Sequence, residues 1–151
     1  TREHGKGDIA EFRIVEEAAM EAKKSRPQPV WKIAYAGAIG GQAMTGIPAM
    51  ERLREKFPAL KIWPFELPLA KLDSDGLADT RVVVAEVLTT LNATNQQSSE
   101  IRDEAQVRSI CEALAERDAN GKLAAMFGGE AKLTDAQKAK VSAEEGWILG
   151  I

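Results

Sequence analysis

The stretch Arg81-Val82-Val83-Val84-Ala85-Glu86-Val87-Leu88 decides the fold class, because it is the strongest candidate strand in the chain. Its apolar residues would face both sides of an extended segment, which is typical of a central strand in a parallel sheet. Apolar side chains recur every three or four residues at 9–24 and at 100–118, which predicts two helices. We therefore expect an α/β fold, a small mostly parallel or mixed sheet with these helices beside residues 81–88.

The segments between residues 30 and 65 predict further strands and another helix. Residues 30–36 and 61–65 are short and rich in β-branched or aromatic side chains, which indicates strands. Residues 37–46 predict a glycine-rich turn before a helix that has Pro48 in its first turn and ends at Pro58. Four apolar residues would form the inner face of that helix: Ile47, Met50, Leu53 and Phe57.

Local signals predict the turns and the C-terminal part of the chain. Turn and loop signals occupy residues 73–76 and residues 92–99. The pair Asn120-Gly121 predicts a left-handed C-cap that ends the helix at 100–118. Thr134 followed by Gln137 matches a capping box, which predicts a last short helix that ends before Gly146. Residues 147–151 are mostly apolar, so we expect this tail to pack against the rest of the domain.

Composition places the chain among globular proteins. Of its 151 residues, 44% are hydrophobic and 28% are charged, which is usual for a globular protein. The length is that of one domain, so we expect a single domain over residues 1–151. No apolar stretch approaches the roughly 20 residues that cross a bilayer, so we expect no membrane partner. The net charge of −3 divides into +2 over residues 1–60 and −5 over residues 61–151. This balance excludes the strongly basic footprint of a nucleic-acid-binding domain but leaves room for a local basic groove.

The lone cysteine and the lone histidine restrict both location and chemistry. Cys111 has no partner for an internal disulfide, which together with the lack of a charged-then-apolar leader favours a cytoplasmic protein. We expect Cys111 to be a buried thiol, since it lies in the apolar stripe of Val107, Ile110 and Leu114. The single histidine, His4, excludes a His-x-x-x-His zinc pair, and it lies in a Gly/Lys/Asp-rich start that offers no convincing Ser/His/Asp set. Catalysis would therefore have to use carboxylates, alone or with a hard metal ion.

Glu86 is an acid within an otherwise apolar strand. Its carboxylate needs a partner, because unpaired burial would cost several kcal/mol or force protonation. The partner of a structural Glu86 would be a cation or several backbone N–H groups. A functional Glu86 would instead bind a ligand or metal at the carboxyl end of the strand, where open α/β sheets place their sites.

Two further features suggest binding. Asp103, in the first turn of the helix at 100–118, is explained in part by the helix dipole, but its spacing from Ile110 also places it on the buried stripe. The glycine-rich segment is either a plain turn or a phosphate-binding loop at a helix N-terminus. Its candidate phosphate-binding residues are Gly40, Gly41, Gln42 and Thr45.

Several stretches occur in a recognisable order: Phe12-Arg13-x-x-Glu16, Trp31-Lys32, Gly41-Gln42-Ala43-x-Thr45-Gly46-Ile47-Pro48, Trp63-Pro64-Phe65-Glu66, Ala85-Glu86-Val87, Asp103, Gln106-Val107 and Glu145-Gly146-Trp147-Ile148-Leu149-Gly150. Together they resemble a bacterial family of uncharacterised proteins that are predicted to have an RNase-H-like fold. Some members of this family carry the name of molybdopterin guanine dinucleotide synthesis proteins. The family's longer chains also contain an Asp-Trp-Ser strand and a second acidic strand, neither of which occurs here. The resemblance therefore implies the C-terminal part of a longer protein.

The resemblance also implies an activity. RNase-H-like enzymes hydrolyse phosphodiesters with divalent ions held by a cluster of carboxylates. Glu86 and Asp103 would be the catalytic and metal-binding acids, with Mg²⁺ or Mn²⁺ bound only when the missing half supplies further ligands. This chain by itself would then be inactive. The other hypothesis is a non-catalytic domain that binds a nucleotide, a nucleic acid or a partner protein, with a possible link to molybdopterin guanine dinucleotide biosynthesis.

Overall fold

The computed structural model describes residues 10–22, 26–91, 101–129 and 132–151. His4 and the loop expected at 92–99 lie outside these ranges. The described residues form five α-helices: α1 (Ile14–Glu21), α2 (Gly40–Lys56), α3 (Arg102–Ala119), α4 (Leu123–Met126) and α5 (Asp135–Lys140). They also form two strands, β1 (Leu60–Ile62) and β2 (Val82–Val84), a 3₁₀ turn (Thr89–Leu91) and a π-helical turn (Val141–Glu145).

The sheet of the described residues consists of β1 and β2, which pair in parallel with Leu60 beside Val82 and Ile62 beside Val84. This confirms an α/β fold with a parallel sheet. The prediction of one long strand over residues 81–88 is wrong, because the ladder with β1 ends after Val84. Beyond it, Glu86 forms a single parallel bridge with Ile148 of the C-terminal tail.

The core lies between α1, the loop after β1 and the tail. Its buried residues are Val15, Ala19, Trp63, Leu67, Leu72, Phe127, Val141, Trp147, Ile148, Leu149 and Ile151. The rings of Trp63 and Phe127 meet edge to face, with their centroids 5.3 Å apart, a favoured aromatic geometry. The prediction that the tail packs against the domain is confirmed, since four of its five residues are buried.

Residues 30–36 do not form the predicted strand. Trp31 is half-exposed, and Tyr35 is 92% exposed with a positive φ of 70°. The segment folds back on itself, because the N–H of Gly40 donates to the carbonyl of Lys32 at 2.8 Å. Aromatic and β-branched residues favour extended structure only where a neighbouring strand can pair with them, and no described strand lies beside this segment.

Helix α2 differs from its prediction in its start and in its buried face. It begins at Gly40, inside the expected glycine-rich turn, so that Pro48 lies within the helix rather than in its first turn. The predicted inner face is largely exposed, with Ile47 at 69% and Phe57 at 56%. An apolar stripe indicates a helix, but it does not guarantee that another element covers the stripe.

The other helices agree better with the sequence. Helix α1 is shorter than residues 9–24 but buries Val15 and Ala19. Helix α3 is present, although Cys111 is exposed and the prediction that it is buried is wrong. Helix α5 begins with the predicted capping box, and Gly121 adopts the expected left-handed conformation with φ of 66° after α3.

No helix of the described residues is both long and apolar enough to span a membrane.

Candidate functional site

Arg13 is the buried centre of a cluster of ion pairs and hydrogen bonds. We call it the Arg13 cluster, and it consists of Arg13, Glu16, Glu86 and Glu145. Arg13 caps the N-terminus of α1 and is only 6% exposed. Its backbone N–H donates to Glu16 Oε2 and its Nε donates to Glu16 Oε1, both at 2.9 Å. Glu16 thereby satisfies a free N–H of the helix start and pairs with the guanidinium in one local unit.

The other side of the guanidinium binds Glu86, 73 residues further along the chain. Nη1 donates to Glu86 Oε2 and Nη2 donates to Glu86 Oε1, each at 2.9 Å. Nη1 also donates to the backbone carbonyl of Glu145 at 3.0 Å. A bidentate guanidinium–carboxylate pair is planar and directional, so it restricts the orientation of both side chains.

The charges of the cluster compensate one another. Burial alone would lower the pKa of the Arg13 guanidinium, but the hydrogen bonds and negative charges of Glu86 and Glu16 outweigh it and raise that pKa above its ordinary value. Glu16 is 1% exposed and depends on Arg13 for its counter-charge. Among the described residues, every buried side-chain nitrogen and oxygen has a hydrogen-bond partner, as stable proteins require.

Glu145 connects the cluster to the C-terminal part of the chain. Its Oε2 accepts from the backbone N–H of Ile14 at 2.8 Å, and its Oε1 accepts from Lys140 Nζ at 2.7 Å. The hydrogen bond and charge of Glu145 raise the pKa of the Lys140 ammonium. Because Glu145 ends the π-helical turn, these contacts fasten that turn to the start of α1.

Glu86 lies just after β2, at its carboxyl end, as the sequence predicted. Its side chain is 44% exposed, and its backbone carbonyl accepts from the N–H of Leu149 at 2.9 Å. Both carboxylate oxygens are bonded to Arg13. Of the two alternatives for Glu86, this is the arrangement expected of a structural ion pair.

Asp103 lies in the first turn of α3, where its charge is suited to the helix dipole. It is exposed, so the expectation that it points inward along the buried stripe is wrong. The buried face of α3 consists of Ala105, Ser109 and Ile110. This face is rotated from the predicted one, because the neighbouring elements cover a different side of the helix.

The described residues do not fit a divalent metal ion. No group of three or more Asp, Glu, His or Cys side chains in those ranges lies close enough to hold one. Glu86, the first candidate ligand, already binds a guanidinium with both oxygens. Mg²⁺ needs several well-placed oxygens, so the metal-binding role of Glu86 and Asp103 stays a prediction that depends on further ligands.

The phosphate-binding candidates lie in the first turns of α2. The N–H of Gly40 donates to the carbonyl of Lys32, and the hydroxyl of Thr45 donates to the carbonyls of Gly41 and Gln42 within the helix, at 3.0 and 3.2 Å. Two of the four candidates therefore use their donors inside the protein. Gly41 and Gln42 are exposed, and no contact of the described residues tests the phosphate-binding role, which stays a prediction.

The two edges of the sheet differ in a way that the sequence did not indicate. The outer edge of β1 is closed by Glu66, which accepts from the N–H of Ile62 through Oε2 and donates its own N–H to the carbonyl of Ile62, both at 2.9 Å. The backbone of Val82, Val84 and Glu86 faces β1 and the tail. One edge of the sheet is therefore protected against further pairing.

The other edge consists of the backbone N–H and C=O groups of Val83 and Ala85, and we call it the open edge. Successive residues of an extended segment direct these groups to opposite sides. The backbone N–H and C=O groups of Val83 and Ala85 therefore point away from β1. No residue in the described ranges forms a hydrogen bond with these groups. Their side chains pack against the core, while Val82 is 50% exposed.

Sequence reasoning missed the Arg13 cluster as a unit. Arg13, Glu16, Glu86 and Glu145 all occur in the stretches that carry the family resemblance, and this was the one signal that could have connected them. Local spacing relates Arg13 to Glu16 alone. The contacts to Glu86 and Glu145 depend on the tertiary fold.

Comparison with known proteins adds no relative: no family model matches the chain, and neither a curated protein nor a solved structure matches it significantly.

Proposed function

We propose that this domain binds a partner polypeptide, which adds an extended strand along the open edge of β2. The observation that carries the proposal is the free backbone of Val83 and Ala85, two donors and two acceptors in line that meet no described residue. An extended chain can satisfy such a row, because its own N–H and C=O groups recur on one side at every second residue. This is the recognition mode called strand addition.

The side chains around the open edge favour a polypeptide with apolar residues. Val82 is half-exposed and Val87 is 39% exposed, on either side of the two core-packed residues. Residues 82–85 contain no charge and no proline, the devices that commonly protect an edge strand from pairing. β1 shows such protection through Glu66, so the contrast within one sheet supports a binding role for β2.

The Arg13 cluster gives the edge a defined shape. Glu86 follows Ala85 directly, and its carboxylate is held by Arg13 while its carbonyl pairs with Leu149. These contacts restrict the backbone at the end of the edge. A preorganised edge loses less conformational entropy when a strand binds.

The test uses a short synthetic peptide of alternating valine and threonine, flanked by lysines, as the probe. We expect the peptide to slow the hydrogen exchange of the Val83 and Ala85 amides and to shift their NMR signals, with little change at Glu66. The control is the same peptide with N-methyl groups on the amides that face the edge, because it keeps the side chains but cannot donate. Equal binding of both peptides would contradict the proposal.

A matched pair of variants tests the same contact from the side of the protein. Ala85→Pro removes an N–H that no described residue uses, so we expect it to abolish peptide binding. Ala85→Ser keeps the N–H and should retain binding. Loss of binding in both variants, with both folded by circular dichroism, would show that the backbone donor of Ala85 is not what the peptide recognises.

A second candidate function is the metal-dependent hydrolysis of phosphodiesters that the family resemblance implies. One observation favours it: the hydroxyl of Thr89 donates to Gln106 Oε1 at 3.4 Å. This contact brings the segment that follows Glu86 next to the first turns of α3, which carry Asp103. Further carboxylates would still have to come from outside the described residues.

Asp103→Asn tests this candidate better than a change at Glu86, because Asp103 is exposed and the variant should fold normally. The assay is hydrolysis of bis(4-nitrophenyl) phosphate with Mn²⁺ or Mg²⁺. Hydrolysis by the wild-type chain that Asp103→Asn abolishes, and that Glu104→Gln in the same helical turn retains, would support the candidate. Hydrolysis that survives Asp103→Asn would contradict the candidate. A wild-type rate equal to that of buffer would show that this chain does not supply the whole site by itself, as the resemblance implies.

A further inference from the structure

We infer that the strand added to the open edge is β2 of a second copy of this chain, so that two copies form an antiparallel pair about a two-fold axis. The inference rests on the proposed strand addition and names the partner. A two-fold contact uses the same surface on both copies, which must therefore complement itself. The residues of the open edge meet this requirement when the two-fold axis lies at Val84.

The register follows from the free backbone groups. In an antiparallel pair, residues that point their N–H and C=O groups toward the partner must lie opposite residues that do the same. With the two-fold axis at Val84, Val83 of each copy lies opposite Ala85 of the other copy. Each such pair exchanges two hydrogen bonds, so all the donors and acceptors of both open edges are satisfied.

The register with its axis one residue earlier, at Val83, is less favourable. An axis at Val83 would place Ala85 opposite Arg81 of the other copy, where a donor is needed. The N–H of Arg81 already donates to the carbonyl of Ala59 at 2.8 Å. That register would therefore leave the Ala85 carbonyl without its donor.

The side chains are also compatible with a second copy. The axis at Val84 brings the two Val84 side chains together and places the half-exposed Val82 opposite Glu86 of the other copy. Branched aliphatic residues stabilise such cross-strand contacts. The nearest acid, Glu86, is neutralised within its own copy by Arg13, so the contact brings no unpaired like charges together.

Disulfide trapping tests the register directly. Residues at the axis form a pair without hydrogen bonds, with Cα atoms about 4.5 Å apart, which is within the range of a disulfide. In a Cys111→Ser background, we expect Val84→Cys to give a covalent dimer under oxidised glutathione. Val82→Cys is the matched control, because its copies would be separated by four residues along the strand, about 13 Å.

The control is demanding because Val82 is more exposed than Val84. Random collisions would therefore crosslink Val82→Cys at least as fast as Val84→Cys. Preferential crosslinking of Val84→Cys would support the inference. Equal crosslinking, or crosslinking of Val82→Cys alone, would overturn it.

The oligomeric state gives an independent test with the unmodified chain. By light scattering, we expect the wild type to approach twice the 16.4 kDa mass of one chain as its concentration rises, and Ala85→Pro to remain a monomer. A wild-type monomer at all concentrations overturns the second copy as the partner. If the valine–threonine peptide still binds such a monomer, strand addition stands and only the identity of the partner is wrong.

Discussion

Arg13 joins three distant parts of the chain through one side chain. Its guanidinium meets Glu16 in α1, the end of β2 at Glu86 and the carbonyl of Glu145 before the tail. A buried ion pair adds little net stability compared with well-packed apolar residues, but removing one partner leaves a buried charge uncompensated. The cluster therefore determines how these parts are oriented. We expect substitutions of its members to lower the free energy of unfolding by unequal amounts.

Arg13→Ala should lower the free energy of unfolding by about 3–5 kcal/mol, because Glu16 would remain buried without its counter-charge. Arg13→Lys keeps the positive charge but cannot bind two carboxylates through a planar fork, so we expect a smaller loss. Urea denaturation of the two variants and the wild type measures the difference. An Arg13→Ala variant as stable as the wild type would show that the cluster is not structural.

Glu86→Gln should lower stability by only about 1 kcal/mol, since this carboxylate is partly exposed and solvent screens its charge. Glu16→Gln is the comparison, and it should cost more because Glu16 is 1% exposed. The same denaturation curves give both values. A rise in stability for Glu86→Gln would instead indicate relief of repulsion between acids, the result expected of a metal-binding site.

Cys111 is exposed, and we expect a thiol reagent such as Ellman's reagent to label it rapidly in the native protein. Labelling with and without urea should proceed at similar rates, because unfolding exposes little more of the side chain. Cys111→Ser should remove the signal. Protection of the native thiol by more than about tenfold would place it in the core, as its position in the sequence suggested.

At the scale of the elements, α2 is the least predictable helix. It contains three glycines and Pro48 and leaves most of its apolar residues exposed. Gly40 is required by a close approach, because a Cβ atom there would lie 2.7 Å from Ile33 Cγ2 and 2.9 Å from the carbonyl oxygen of Lys32. A Cβ at Gly46 would meet nothing within 4 Å.

These surroundings predict opposite effects for the same substitution. Gly46→Ala should raise stability by about 0.5–1 kcal/mol, because alanine restricts the unfolded chain and favours the helix. Gly40→Ala should lower it by about 1–3 kcal/mol, because backbone atoms would have to shift. Thermal denaturation distinguishes the two. If Gly40→Ala raised the stability, Gly40 would not be in close contact with Ile33 and Lys32. The helix α2 would then have to begin at another residue.

At the scale of the whole molecule, the C-terminal tail completes the core. Trp147 is 1% exposed, and its Nε1 donates to the carbonyl of Ile151 at 2.9 Å. Trp147→Ala should therefore cost about 3–5 kcal/mol, through lost burial and the cavity that remains. Trp31→Ala is the control at a half-exposed tryptophan, and chemical denaturation should show a much smaller loss for it.

Features that depend on near neighbours could be predicted from the amino-acid sequence alone. The capping box of Thr134 and Gln137, the left-handed Gly121 after α3 and the turn in which Gly76 donates to Asp73 Oδ1 all occur as predicted. Each is decided by side chains and backbone groups three or four residues apart. The apolar periodicity of α3 and the apolar run of β2 likewise predicted a helix and a strand, and with them the α/β class.

Which surfaces are covered and which charges meet could not be predicted from the sequence, because both depend on contacts between distant parts of the chain. The stripe through Ile47 predicted an amphipathic α2, but the stripe is largely exposed because no described element packs over it. Glu86 needed a partner on any interpretation, yet its partner Arg13 lies 73 residues away. The sequence pattern shows that a helix face is apolar and that an acid lies within an apolar strand. Which element or side chain then meets them depends on how the distant parts of the chain pack together.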